Sequence, residues 1–438
     1  MKKKKILLSL ILVISMLMWI CMGCITKPST SDNDDKDPKT PGGSKKNITL
    51  SLWWWQGDME QAWNEHLIAD FETDNPGIKV ELTILPWSEY WSKVQTATIS
   101  NTLPDLMIMS VAYIDQYAKE GVVIDLTDYI NRDLDRSEYY NFAMLTTRMN
   151  DGREYGMPWN VVGNCLFYNK DMFDDAGLAY PDATWTWDIL RENAIKLTKA
   201  DKSQYGLSMT VGGESSFDSI LYSFGGAIVS DDLKTCLLDT QGSKDGIEFL
   251  RKMILEDQCM PPVTTDSSGI NDFSSGLAAM AVDGCWSLET VATASDLNWD
   301  IAPLPAGPNG SKPRAWSDSI CISKSCKNPD EAWKFIKYLV GENGQTHENL
   351  TSTRIPVYIP KSMSTDFLNS NTVSCNLQVL LDQLEIASPF VFRANWGEWV
   401  GVQANELFGI WTGNLTVDQG AANAAVAVQA ILDEYNAK

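Results

Sequence analysis

Apolar positions in the first part of the chain follow first the period of a strand and then that of a helix. Residues 48–54 (ITLSLWW) are typical of a buried strand. Trp63, Leu67 and Phe71 then recur every fourth residue, as in an amphipathic helix. The next predicted elements are a strand over 78–85, a helix from Ser88 and a strand over 105–109. This β-α-β-α-β order predicts a largely parallel sheet with helices on both faces, and ligands of such sheets bind beyond the carboxyl ends of the strands.

A second α/β region is predicted to begin near Met157. Its predicted elements are a strand over 161–168, a helix capped by Thr186, a short strand over 206–210, a helix over 247–255, a helix or strand over 276–282, a strand over 299–303, a helix beginning at Asn328-Pro329 and an Ala- and Val-rich helix over 416–435. With 438 residues, the chain is long enough for two or three domains.

Composition narrows the classes of function. The net charge of −22 argues against nucleic-acid binding, because a phosphate backbone would be repelled. The chain has two histidines, and the seven cysteines beyond residue 24 include no CxxC pair, so neither a metal site nor a cofactor is indicated. One or two disulfides among these seven cysteines stay open. Seventeen tryptophans are unusual, and some are expected to bind ligand with their flat apolar rings.

The N-terminus has the pattern of an export signal. Four lysines precede an apolar run over 6–20, which is too short for a comfortable membrane span and ends at Cys21-Met22-Gly23-Cys24. A small residue before a cysteine resembles a bacterial lipobox, so residues 1–23 are predicted to be a signal peptide and Cys24 a lipidated (palmitate-bearing) N-terminus. A plain secretory signal and an uncleaved anchor are the alternatives, and all three place the folded part outside the cytoplasm.

Residues 24–46 are dense in Asp, Ser, Pro, Lys and Gly and almost without apolar side chains. Such a segment cannot bury enough surface to fold, so it is predicted to be a disordered tether. A lipid followed by a tether would hold the protein at the outer side of the cell membrane.

Eight short motifs then occur in a fixed order. They are Asn75-Pro76-Gly77-Ile78-Lys79-Val80, Leu103-Pro104-Asp105-Leu106, Tyr117-Ala118-Lys119-Glu120-Gly121, Leu126-Thr127-Asp128-Tyr129, Tyr155-Gly156-Met157-Pro158-Trp159, Phe167-Tyr168-Asn169-Lys170, Thr184-Trp185-Thr186-Trp187 and Ala302-Pro303-Leu304-Pro305. In this order, the chain resembles the family 1 extracellular solute-binding proteins, the maltose-binding-protein-like lipoproteins of bacterial ABC sugar importers.

The resemblance implies an α/β, two-lobed periplasmic-binding-protein-like fold. Each lobe is expected to be a mostly parallel sheet flanked by helices, and three segments cross between the lobes near residues 158–163, 300–305 and 355–361. Lobe one would comprise residues 47–160 and 304–353, and lobe two residues 161–303 and 354–438. The implied partners are a carbohydrate held between the lobes of a monomer and the permease subunits of the importer.

The resemblance also places particular residues at the cleft. The implied ligand-binding residues are Trp55, Gln56, Asp58, Met109, Ser110, Tyr113, Trp159, Asn160, Gly213, Ser215, Asp283, Trp286, Trp316, Asp318, Trp396 and Glu398. A sugar has apolar C–H faces and a rim of hydroxyls, so flat aromatic rings beside planar polar groups suit it. The chain departs from many relatives at Trp316, where glycine is common, and at Asn160, where aspartate is common.

These residue types also have structural roles. Trp63, Trp91 and Trp333 recur at helical spacing and are expected in the core, whereas Trp286 and Trp396 are expected to stack on ligand. Trp55, Trp159 and Trp316 are equally expected to stack on ligand or to pack in the core. Four acids are either ligand contacts or ordinary caps: Asp58, Asp283, Asp318 and Glu398.

Two other functions compete with that of a sugar receptor. A secreted glycoside hydrolase would also combine tryptophans with a pair of carboxyls, although no GxSxG, HExxH or GxxxxGK[ST] motif is present. A binding protein for another solute, such as a peptide or polyamine, would use the same acids and aromatics. The expected function is therefore transport binding without catalysis.

Overall fold

The computed structural model describes residues 47–55, 58–149, 151–213, 215–264, 268–294, 296–346, 354–369, 373–390 and 395–437. The predicted signal peptide, Cys24 and the predicted tether lie outside these residues.

Strands and helices alternate along most of the described chain. The strands are β1 (Ile48–Trp55), β2 (Ile78–Leu85), β3 (Leu106–Met109), β4 (Met157–Pro158), β5 (Asn160–Asn169), β6 (Met280–Gly284), β7 (Trp299–Ala302), β8 (Arg314–Trp316), β9 (Ser319–Ile322), β10 (Ile355–Pro356) and β11 (Ser388–Pro389). The helices are α1 (Asp58–Asp74), α2 (Trp87–Ser100), α3 (Val111–Lys119), α4 (Thr127–Asp133), α5 (Asn141–Thr146), α6 (Lys170–Ala176), α7 (Trp187–Leu197), α8 (Ser215–Ser223), α9 (Gln241–Leu255), α10 (Gly269–Ser274), α11 (Leu288–Ala292), α12 (Pro329–Val340), α13 (Ile359–Ser362), α14 (Thr365–Leu368), α15 (Gln378–Leu384), α16 (Trp396–Trp411) and α17 (Val417–Ala437).

The first sheet confirms the predicted β-α-β-α-β order. Its strands lie in the order β2-β1-β3-β9-β4, and β1 pairs in parallel with both β2 and β3. The carboxyl ends of these three strands therefore meet at one edge of the sheet, where Trp55 ends β1 and Ser110 follows β3. β9 and β4 complete the sheet with antiparallel pairings, so the sheet is mixed.

The second sheet is built around β5, which is buried along its whole length. Strands β6, β7, β8 and β10 all pair with it antiparallel, and only β11 adds a parallel pairing, to β8. The prediction of a mostly parallel sheet is wrong for this region, because β5 enters from the first sheet and its neighbours run back along it. The predicted strand over 206–210 is reduced to isolated bridges, one of them joining Ser208 to Ala281.

The two sheets are joined where single strands continue from one sheet to the other. Trp159 alone separates β4 of the first sheet from β5 of the second, and only Ser317 and Asp318 separate β8 from β9. The Trp159 amide donates to the Asp318 carbonyl at 3.2 Å, so these two passages lie side by side. β10 pairs with β5 next to them, at Val161.

The second predicted crossing, over 300–305, is not where the chain passes between the sheets. Leu304 packs in the core against α7 to α9, and Ala306 bridges to Thr186 in the same region. Because β8 also pairs with β5, the chain stays with the second sheet until Ser317. The complete limits of the two lobes remain a prediction.

Large aromatic side chains fill the core below the passages. The rings of Trp54 and Trp159 are 4.7 Å apart, and Trp63 of α1 stacks on Trp159 at 5.6 Å with an interplanar angle of 21°. Trp54 and Trp55 point to opposite faces of the first sheet, as successive residues of a strand do. Trp63 is therefore a core residue, as its spacing predicts.

Candidate functional site

A carboxylate lies where the two sheets meet. Asp318 is half-buried beside the buried Asn160, and the Asp318 amide donates to Asn160 Oδ1 at 2.9 Å. Burial raises the pKa of the Asp318 carboxyl to about 6, although Arg354, a hydrogen bond from Asn160 and the backbone N–H of Val111 favour the ionised form. Val111 begins α3, so the amino end of that helix faces the carboxylate, where a negative charge is stabilised.

A row of aromatic rings begins beside this carboxylate in the second sheet. The ring of Trp286 is 5.4 Å from that of Trp316, which in turn is 5.7 Å from Phe390. Trp286 is half-buried and lies over Gly284, where a Cβ atom would come within 1.9 Å of the indole. Only glycine fits beneath this ring, so the local sequence Gly284-Cys285-Trp286 is built to hold the indole in place.

The amino end of α16 lies against α3, the helix whose own amino end faces Asp318. Trp396 is half-buried with its ring 6.3 Å from Trp399, and Glu398 is exposed. Gly397, which lies between these two residues in the sequence, packs against Tyr113 of α3. A Cβ atom added to Gly397 would lie 3.1 Å from Tyr113 Cε1. This contact brings a helix of the first sheet against the C-terminal helices that pack on the second.

Several predicted ligand residues are buried in this conformation. Trp159 is 1% exposed between Trp54 and Trp63, and it packs the core instead of offering a surface to ligand. Ser110 caps α3 by accepting a hydrogen bond from the Ala112 amide at 3.3 Å. The other predicted residues with little exposure are Trp55, Met109, Asn160 and Trp316.

Two further predicted residues, Asp283 and Gly213, are half-buried. The Asp283 carboxylate accepts from the Gly284 amide at 2.7 Å and from Ser287 Oγ at 3.0 Å, and Gly213 is half-buried beside Val400 of α16. Gln56 lies outside the described residues, and so do the side chains of Asp58 and Ser215. The predicted residues that keep partial or full exposure are Tyr113, Gly213, Asp283, Trp286, Asp318, Trp396 and Glu398.

Two residues near the site were missed from the sequence. Arg354 is buried beside Asp318, and no pattern predicts this because the two are far apart in the chain. Trp87 is 46% exposed at the carboxyl edge of the first sheet. Its position directly after β2 marks it in the sequence as a tryptophan at a strand end, but it is not among the predicted ligand-binding residues.

Side chains of the types that bind metals or form disulfides occur across the part of the chain that the structure describes. Within the described ranges, no group of three or more His, Cys, Asp or Glu is placed to hold a metal ion. The seven cysteines that these ranges include are free thiols, and burial raises the pKa of Cys285 beside the site.

Comparison with known proteins decides the family. The model of the bacterial extracellular solute-binding proteins matches residues 56–346. The chain belongs to this family. Its members are non-enzymatic solute-binding components of transporters, and this chain is a solute-binding protein.

Relatives of the solute-binding protein cover most of its length. A binding protein of Brucella abortus is 27% identical over 84% of this chain and 89% of its own. The maltodextrin-binding protein of Bacillus subtilis is 23% identical over 90% of this chain and 92% of its own. A solved ABC substrate-binding protein of Listeria monocytogenes, in complex with cycloalternan, is 23% identical, with a TM-score of 0.79, and covers 89% of this chain and 100% of its own.

These likenesses confirm the predicted two-lobed α/β fold, with mixed sheets flanked by helices. In the described part of this solute-binding protein, no helix has the length and apolar character needed to span a membrane.

Proposed function

We propose that this solute-binding protein captures a sugar or oligosaccharide between its two lobes and delivers it to the permease subunits of an ABC importer. The observation that carries the proposal is the pairing of a half-buried tryptophan with a nearby acid on both sides of the junction. Trp286 and Asp318 lie on the strand side, and Trp396 and Glu398 lie at the amino end of α16.

The chemistry of these groups suits a carbohydrate. An indole face covers the C–H face of a pyranose, and a carboxylate accepts hydrogen bonds from two hydroxyls on its rim. Half-burial leaves one part of each indole held by the protein and another part open to a ligand. The binding of maltodextrin and cycloalternan by the related proteins supports the same class of ligand.

Closure follows from the way the lobes are joined. The passages at Trp159 and at Ser317-Asp318 are short and lie side by side, so a rotation about them would move α3 and α16 relative to each other. The predicted lobes comprise residues 47–160 with 304–353 and residues 161–303 with 354–438. If the lobes instead meet at these passages, residues 304–316 belong to the second lobe.

The N-terminal segment bears on where the protein is held in the cell envelope. We propose that signal residues 1–23 are removed, that Cys24 carries a lipid and that residues 25–46 tether a monomeric receptor to the outer face of the cell membrane. The sequence pattern Gly23-Cys24 supports this anchoring.

A polyamine or another cationic ligand is less well supported. Burial has the larger effect on the pKa of the Asp318 carboxyl, but the positive charge of Arg354 acts in the opposite direction and lowers it. Part of the negative charge at the junction is therefore already balanced. A neutral, hydroxyl-rich ligand does not need an excess of negative charge in the site.

Thermal denaturation with a panel of ligands tests the proposal. Starch- and plant-derived oligosaccharides should raise the melting temperature of the purified protein by mass action, whereas spermidine and short peptides should not. Chromatography of the same mixtures should recover the sugars uncleaved. Catalytic cleavage of a sugar, or stabilisation by spermidine or peptides alone, would contradict the proposal.

A further inference from the structure

An aromatic cluster at the carboxyl edge of the first sheet ends in an exposed ring. Trp87 meets Trp55 edge-on, with centroids 5.1 Å apart at 86°, and meets Trp91 at 5.4 Å and 74°. Trp55 is buried and Trp91 is half-buried, but 46% of Trp87 remains exposed. A large exposed apolar ring that neighbouring rings hold in place is more informative than an isolated exposed leucine.

The cluster is attached firmly to the sheet beneath it. Tyr90 lies 5.1 Å from Trp55, and its hydroxyl donates to the carbonyl of Ile108 in β3 at 2.6 Å. Trp87 is the first residue of α2, directly after Pro86, whose fixed φ restricts the backbone there. The exposed indole is therefore pre-oriented, and a ligand that stacks on it would lose little conformational entropy from the protein.

The same rings lead from Trp87 to the junction of the lobes. Trp91 is 4.1 Å from Tyr113, and Tyr113 contacts Gly397 beside Trp396. Trp87 is thus two ring contacts away from the place where α3 meets α16. A ligand bound at the junction would need more than one sugar ring to reach it.

We infer that Trp87, backed by Trp91, is an additional subsite that stacks on a pyranose ring of an oligosaccharide whose other rings lie at the junction. The inference rests on the proposed function and deepens it, because it assigns the ligand class as an oligosaccharide instead of a single sugar. Trp87 is then a residue that determines preference for ligand length.

Calorimetric titration with sugars of increasing length tests the subsite. The probes are glucose, maltose, maltotriose, maltotetraose and maltohexaose, together with galactooligosaccharides of two to four units. In the unchanged protein, affinity should rise with length. Trp87→Ala should lose about tenfold in affinity for the longest bound sugar and less than twofold for the shortest, and Trp87→Phe should retain most of the difference.

Tyr180→Ala is the matched control, since Tyr180 is a similarly exposed aromatic, at 39%, that contacts Tyr168 and Phe173 instead of this cluster. It should leave every affinity unchanged. Equal losses of Trp87→Ala for all lengths, no loss at all, or no gain with length in the unchanged protein would overturn the subsite while leaving sugar binding intact. Failure of every sugar to bind would overturn the proposed function and the subsite together.

Discussion

Replacing Trp286 or Trp396 with alanine should weaken sugar binding by about 30- to 1000-fold. Each indole is half-buried beside the junction and held by a neighbouring ring, Trp316 in one case and Trp399 in the other. Removing the flat surface leaves the hydroxyl-binding groups to hold a loosely placed sugar, and the loss should be on the order of 2 to 4 kcal/mol. Isothermal titration calorimetry measures it.

Trp63→Ala is the control for these variants, because the ring of Trp63 stacks on Trp159 in the core and not at the junction. It should lower the free energy of unfolding by about 3 to 5 kcal/mol while leaving the affinity of the folded fraction nearly intact. If Trp286→Ala and Trp396→Ala instead bind sugar as well as the parent and only melt earlier, the two indoles are packing residues.

Replacing Asp318 with alanine should weaken binding by about 10- to 150-fold at pH 7, the range for a lost hydrogen bond to a charged group. In the parent, affinity should also fall as the pH is lowered through about 6, because protonation removes the carboxylate acceptor. The decrease should approach tenfold per pH unit well below that pKa. Calorimetry between pH 5 and 8 measures both effects.

The stability of the unliganded protein should change with pH in the opposite direction to the affinity. The folded-state pKa of Asp318 is above its ordinary value of 3.8, so the native state binds the proton more tightly than the unfolded state. The contribution of Asp318 to the free energy of unfolding is therefore fully present below about pH 3.8 and is lost as the pH rises through about 6. The change amounts to up to about 3 kcal/mol.

The groups facing this carboxylate are Arg354, Asn160 and the Val111 amide, with Cys285 nearby. Asp318→Asn should keep the packing but remove the dependence of affinity on pH below 7. An affinity that is independent of pH in the parent would show that Asp318 does not accept from the ligand.

The first sheet could be predicted closely from the sequence because its signals are local. The strand at Ile78–Leu85 occurs as predicted, and the helix that the spacing of Trp63, Leu67 and Phe71 indicated is present as α1. Helical and strand periods are properties of neighbouring residues, so they need no knowledge of distant contacts.

The direction of the second sheet could not be predicted in this way. Local periodicity shows that β5 is a buried strand, but its antiparallel neighbours come from segments more than a hundred residues away. Likewise, an Ala-Pro-Leu-Pro motif at 302–305 indicates a turn, and only the contacts of Leu304 and Ala306 show that the chain stays with the second core.

The exposure of the predicted site residues could not be read from the sequence. The motifs placed Trp159 and Trp286 in the same group, yet Trp159 is enclosed by two other indoles and Trp286 is half-open. Which tryptophan faces a ligand depends on which rings cover it, and those rings come from other elements. For the same reason Trp91 was expected in the core, although it supports the exposed Trp87.

X-ray scattering with and without a saturating oligosaccharide tests most directly whether the protein captures its ligand by closing two lobes. The passages at Trp159 and Ser317-Asp318 would act as the hinge, bringing Trp286 and Trp396 onto the sugar. The radius of gyration should decrease when the sugar identified by thermal denaturation is added. An unchanged radius of gyration despite tight binding would contradict capture between moving lobes.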